Sequence, residues 1–160
     1  MIKTKAERYL ILGDYNTAIQ TFKSLIDYAK ENNDNILSAK SREGLAISYF
    51  LNDLAQAHRN IKEIKFNSDI ESNYEMIIAI FKKMKVNELQ LDYLFKLCVY
   101  YSLFPNKMKN LSETVKKITD ELESNTPAIK FNSLLKLQAM YSDLGYKRKS
   151  AFYLFQVKYH

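Results

Sequence analysis

The stretch DLGYKRKSAFYLF, Asp143 to Phe155, sets Lys147, Arg148 and Lys149 directly ahead of a run that carries Phe152 and Tyr153. Contiguous cations beside aromatic rings suit two kinds of chemistry. They can neutralise an acidic protein or lipid surface, or they can grip a nucleic-acid backbone while Tyr146, Phe152 and Tyr153 stack on bases. Read as the first turn of a helix, the triplet faces the positive end of the helix dipole. That small local penalty argues for a use. The aromatic residues are also what a terminal helix needs for packing, so nucleic acid is the disfavoured partner. Arg8, Lys40 and Glu43 form a second, sparse set, a short ladder of the polar clamps with which a groove between helices holds a peptide.

No reaction centre accompanies these residues. The histidines are His58 and His160, fewer ligands than a metal site needs. There is no glycine-rich phosphate loop and no nucleophile with a base at a matching spacing. The expectation is a chain without catalytic activity, cofactor, metal or small-molecule substrate.

The elements that position the candidates follow from composition. Of 160 residues, 47% are hydrophobic, while glycine occurs three times and proline twice. A sheet protein needs more turn residues than that, and a disordered chain would be less apolar. The expected class is all-α, in one domain spanning 1–160. Cys98 lies in the apolar run LFKLCVYYSLF, has no second cysteine to pair with, and is expected to pack as a small hydrophobe. The start, MIKTKAERYL, lacks the apolar core of a signal peptide, and no apolar run nears the ~18 residues of a membrane span. A soluble, cytoplasmic chain is expected. The net charge of +6 and pI near 9.2 allow acidic partners, although in FKKMK and TVKKITDEL the lysines fall where a helix turns its face to water.

Periodicity predicts the helices. Ala18, Ile19, Phe22, Leu25, Ile26 and Ala29 mark one helical face, and AERYLIL forms a shorter helix before it. In GDY between them, a glycine ends one helix and an aspartate caps the next. A second pair is expected from Ile36 to Phe50 and from Leu54 onward, with Asn52-Asp53 as the turn. Ala18, Phe22 and Leu25 then match Ala57, Ile61 and Ile64, each 39 positions on, as in a helical repeat. Ser68 to Glu71, SDIE, reads as a capping box. It opens a helix that buries Tyr74, Ile77, Ile78, Phe81 and Met84, and a helix from about Glu88 to Phe104 follows, apolar around most of its circumference. Pro105 stops that helix. Met108, Leu111, Val115, Ile118 and Leu122 form the seam of the next, and Thr126 with Pro127 launches the last long one, ended by Gly145. The expected architecture is a tetratricopeptide-like right-handed array of about nine helices in antiparallel hairpins, at about 4–32, 36–65, 69–104 and 108–158 with an extra terminal helix. The order of residues in LGDYNTAIQTF is that of the second helix of such repeats, with Ala18 allowing close approach and Phe22 filling the groove beside it. A glycine inside a helix costs about 1 kcal/mol relative to alanine. Gly44, set between Arg42 and Ala46, is therefore expected to serve close helix approach.

Three stretches together resemble the NIBP-type large subunit of the TRAPP II membrane-tethering complex, in its helical repeat region. They are LGDYNTAI, with Leu12, Gly13, Tyr15 and Ala18; NNDNILSAKSREGLAI, with Asn33, Asp34, Ala39, Glu43, Gly44, Leu45 and Ala46; and YSDLGYKRKSAFYLF, with Tyr141, Leu144, Gly145, Arg148, Lys149, Ala151 and Phe152. Where that family carries a tryptophan shortly after the Asn-Asp pair, this chain has Ile36 and Leu37. The resemblance implies a structural subunit of a cytosolic assembly at Golgi and endosomal membranes, one that helps a partner subunit exchange nucleotide on a Rab GTPase. It carries over no catalytic residue. Two function classes follow. One is a scaffold whose partners are the protein subunits of a larger assembly, with peripheral contact to acidic membrane. The other is a free-standing tetratricopeptide-like adaptor for a peptide or partner helix.

Overall fold

The structure, a computed structural model, describes residues 2–146 together with Lys149 and Tyr153. Every regular element among these residues is helical: seven α-helices and two short 3-10 turns. The chain divides into two compact units, Met1–Val86 and Asn87–His160.

The first unit holds α1 (Ile2–Ile11), α2 (Tyr15–Glu31), α3 (Asn35–Gln56) and α4 (Ser68–Lys83). Gly13 takes the left-handed conformation that closes α1, at φ 78°. Asp14 then accepts a hydrogen bond from the Thr17 backbone N–H at 3.3 Å, which opens α2. The next turn repeats this device with Asn33 left-handed at φ 52° and Asp34 accepting from Leu37 N–H at 3.0 Å. Short links of this kind make consecutive helices antiparallel neighbours, so α2 lies on α1 and α3 lies on α2. Ala6, Ala18, Ile19, Phe22, Leu25, Ile26 and Leu45 form the core between them.

Three expectations are corrected in this unit. Asn52 and Asp53 do not turn the chain, because α3 runs through them to Gln56. Neither residue costs more than about 0.7 kcal/mol inside a helix, and the Asp53 carboxylate has a distant donor, Asn67 Nδ2 at 3.0 Å. The expected helix over 54–65 is therefore absent. The chain breaks at His58 and Arg59, both left-handed at φ 53° and 62°, and only a 3-10 turn, Ile61–Glu63, follows. The 39-residue match fails with it: Ala57 is a C-cap, Ile61 is exposed, and Ile64 is buried from an extended segment. Helix α3 packs on α4 instead. Lastly, Asn67 rather than Ser68 caps α4, its side chain accepting from Asp69 N–H at 2.9 Å. The buried face of α4 is Ile70, Asn73, Ile77 and Phe81, while Tyr74, Ile78 and Met84 are half-buried.

The second unit holds α5 (Asn87–Ser102), α6 (Met108–Leu122) and α7 (Pro127–Asp143). Leu91, Tyr93, Leu94, Leu97, Cys98, Tyr100 and Tyr101 are buried around α5, as an apolar circumference requires. Phe104 is extended before Pro105, which opens a 3-10 turn into α6. The α6 seam is buried at Leu111, Val115, Ile118 and Leu122, with Lys109, Glu113, Lys116 and Lys117 in water. Thr126 Oγ1 accepts from Ile129 N–H at 3.4 Å, and Pro127 is the first residue of α7. Gly145, left-handed at φ 79°, ends that segment. Helix α6 packs on both α5 and α7, and Lys136 of α7 reaches Asp92 of α5 at 3.7 Å. Of the expected terminal helix, Lys149 and Tyr153 are helical, while Lys147 and Arg148 lie outside the described residues.

Candidate functional site

The sequence candidates fall in two places. In the first unit, Arg8 is exposed in the last turn of α1, Lys40 is exposed on α3, and Glu43 is half-buried one turn further along α3. Gly44 beside it lies where α3 meets α2. A Cβ built there would overlap the edge of the Phe22 ring, 2.7 Å from Cδ1 and closer still to Cε1 and Cζ. Only glycine leaves that ring its place, because Phe22 is 1% exposed and the core around it is closed.

One turn of α3 carries a polar group that sequence reading missed. Arg42 is 7% exposed, and its Nη1 donates to Asn73 Oδ1 on α4 at 3.3 Å. Its Nε and the hydroxyl of Ser41 are buried without a hydrogen-bond partner. Burial lowers the Arg42 pKa from its ordinary value, and the charge of Asp27 on α2 opposes that. The signal was present, since Ala39, Leu45 and Ala46 mark the inward face of α3 and Arg42 falls on the same face. Lower on that helix, burial pushes the Asp53 carboxyl up and the Asn67 hydrogen bond pulls it back.

In the second unit, Lys149 stands at the mouth of a cleft of about 380 Å³. Helix α6 lines it with Ser112, Val115, Lys116 and Thr119, and α7 contributes Tyr141, with Tyr153 beside it. The Tyr141 and Tyr153 rings are stacked, 5.6 Å apart and 3° from parallel. Lys149 Nζ lies 5.1 Å from the Tyr141 ring centre and 5.5 Å from that of Tyr146. Contacts of this kind hold a lysine head near a surface without neutralising it. Thus the structure joins one cation of the basic triplet to a cation of α6, at positions 116 and 149, a pairing no local spacing announces.

Behind these rings Cys98 is fully buried, and burial moves its thiol from an ordinary 9.0 up to about 12. Burial likewise raises Tyr141, from 10.0 to about 12, with Tyr153, Cys98 and Tyr146 adding to the effect. Tyr153 is raised for the same leading reason. All three groups are neutral at pH 7, and a protonated, covered thiol is a poor nucleophile. Native protein at pH 8 should resist an aromatic disulfide reagent for hours and release one thiol equivalent promptly in urea; prompt native reaction would contradict the packing. Because the folded pKa is the higher one, this stabilisation is complete below pH 9 and is lost as pH rises toward 12, by about 1.4 kcal/mol per unit. Melting of Cys98→Ala should therefore fall less steeply above pH 9 than that of the parent.

Among the described residues no group of three or more His, Cys, Asp or Glu is placed to hold a metal ion, and no helix is long and apolar enough to cross a membrane. Helix α7 presents an outward apolar row: Phe131 and Leu135 are 45% and 37% exposed one turn apart, and Ala128 and Ala139 extend it. A scan against protein-family models and a search of curated proteins each return no match.

Proposed function

We propose that this chain is a non-catalytic protein-interaction scaffold, a subunit or segment of a TRAPP-type vesicle-tethering complex that supports Rab GTPase activation. The observation that carries the scaffold reading is the row Ala128, Phe131, Leu135 and Ala139 on α7. Large apolar side chains aligned on one exposed face lose free energy to water unless a partner covers them. The tethering assignment rests on the resemblance of the three stretches from Leu12 to Phe155. On this reading the helices form a tetratricopeptide-like array, supported by the close approach of α2 and α3 at Gly44 and by the full burial of Ala18. The chain would work in the cytoplasm, peripherally at Golgi or endosomal membranes, with other subunits as partners and without cofactor or small-molecule substrate.

A free-standing tetratricopeptide-like adaptor is the second reading, favoured by the concave cleft beside Lys116 and Lys149. The test is affinity purification of the tagged chain from its own cells, followed by mass spectrometry after a moderate salt wash. Near-stoichiometric recovery of small TRAPP core subunits, lost in Phe131→Glu/Leu135→Glu of unchanged helical content, is the expected result. Recovery of one unrelated partner, or of none, would remove the tether reading.

A further inference from the structure

We propose that the cleft between α6 and Lys149 binds a short acidic peptide segment of a partner protein, one that carries an apolar side chain among its carboxylates. The proposal rests on the scaffold reading but uses a different surface from the α7 row.

The floor of the cleft is apolar. Val115 and the stacked rings of Tyr141 and Tyr153 are buried there, and such a surface accepts an aliphatic or aromatic side chain. The mouth is cationic. Lys116 and Lys149 are exposed and line it, no carboxylate does so among the described residues, and Ser112 and Thr119 add hydroxyls. The Thr119 hydroxyl donates to the Lys116 carbonyl at 2.9 Å, which leaves its oxygen lone pairs free to accept. Beyond the cleft α6 is mixed in charge, with Lys109 and Lys117 positive and Glu113, Asp120 and Glu121 negative. This pattern of apolar floor and two ammonium groups, with no carboxylate among the described lining residues, is complementary to an acidic segment. A lipid surface fits less well, because its headgroups bring no apolar side chain to the tyrosine floor. Free phosphate would leave the tyrosine floor unused.

The experiment is a titration of isotope-labelled chain, followed by two-dimensional NMR, with an N-acetylated peptide of alternating Glu and Leu. The same peptide with Gln in place of Glu, inorganic phosphate, and phosphatidylserine-containing vesicles are run in parallel. The expected result is a set of saturable shifts confined to Ser112, Lys116, Thr119 and Lys149, produced by the Glu peptide and weakened by salt. Lys116→Glu should reduce the affinity about tenfold, and Lys116→Arg should retain it. Lys116 is exposed on α6, so this variant tests the site even if Lys149→Glu disturbs the tyrosines beneath it. Equal shifts from the Gln peptide, response to phosphate or vesicles alone, or no response would each overturn the proposal. Phe131→Glu/Leu135→Glu should leave the titration unchanged, so failure of the cleft and failure of the scaffold reading give different results.

Discussion

Gly44→Ala is expected to destabilise the first unit by about 1–2 kcal/mol, although alanine is the better helix former by about 1 kcal/mol. The added methyl cannot occupy the space of the Phe22 ring, and Phe22, 1% exposed, has no route to water. Either α2 and α3 separate or the ring leaves its rotamer, and both disturb the core that includes Ala18, Leu25 and Leu45. Gly44→Val should cost about 3 kcal/mol, since its γ-methyls press further and strain adds to overlap. Urea unfolding measures both. The decisive comparison is with Phe22→Leu, which removes Cε1 and Cζ, the ring atoms nearest the new Cβ. On that background Gly44→Ala should cost about 1 kcal/mol less, a coupling of the size adjacent residues show. An equal cost on both backgrounds would refute the contact.

Asn73→Leu is expected to cost about 3 kcal/mol, more than fitting the larger leucine side chain explains, because it strands the Arg42 guanidinium in a buried site without its Asn73 acceptor. Removing the charge should be far milder. Arg42→Met leaves Asn73 Oδ1 unpaired, a cost of about 1–2 kcal/mol. It also relieves the burial of a cation whose Nε already has no partner. The two effects nearly cancel, so Arg42→Met is expected within about 1 kcal/mol of the parent, and Arg42→Met/Asn73→Leu at least as stable as Arg42→Met alone. The same urea titrations decide. A severe loss in Arg42→Met with a mild one in Asn73→Leu would assign the stabilisation to the charge of Asp27 rather than to the Asn73 contact. The expected asymmetry would mark Arg42 as a residue kept for something other than stability.

Much of this chain is readable where the cause is local. The cap at Asp14, the left-handed glycines at 13 and 145, the Thr126-Pro127 start and the α6 seam each depend on residues within one or two turns. Gly44 was legible as a close approach because its cost in a helix is intrinsic, but its partner Phe22 was named only as a groove filler. Cys98 was legible from its apolar neighbours, and its burial is complete. The reading failed at Asn52-Asp53 because the residue that satisfies Asp53, Asn67, is fourteen positions away. Arg42 was not singled out, although it falls on the same face of α3 as Ala39, Leu45 and Ala46 and is buried there. Of the candidate site, Lys149, Tyr146 and Tyr153 were named from the sequence; Tyr141 of α7 and the partner cation Lys116 of α6 belong to other helices.

By itself, then, the sequence determined the all-helical class, most helix boundaries and the caps at Asp14 and Thr126, because hydrophobic periodicity and backbone hydrogen-bond completion act over a few residues. Only the tertiary structure decided that α3 runs on through Asn52-Asp53 and pairs with α4, that Phe22 claims the space over Gly44, and that Lys116 and Lys149 share one cleft. Each of those outcomes depends on which faces meet, and that is settled by the packing of side chains far apart in the chain, where burial free energy outweighs local preferences worth less than about 1 kcal/mol.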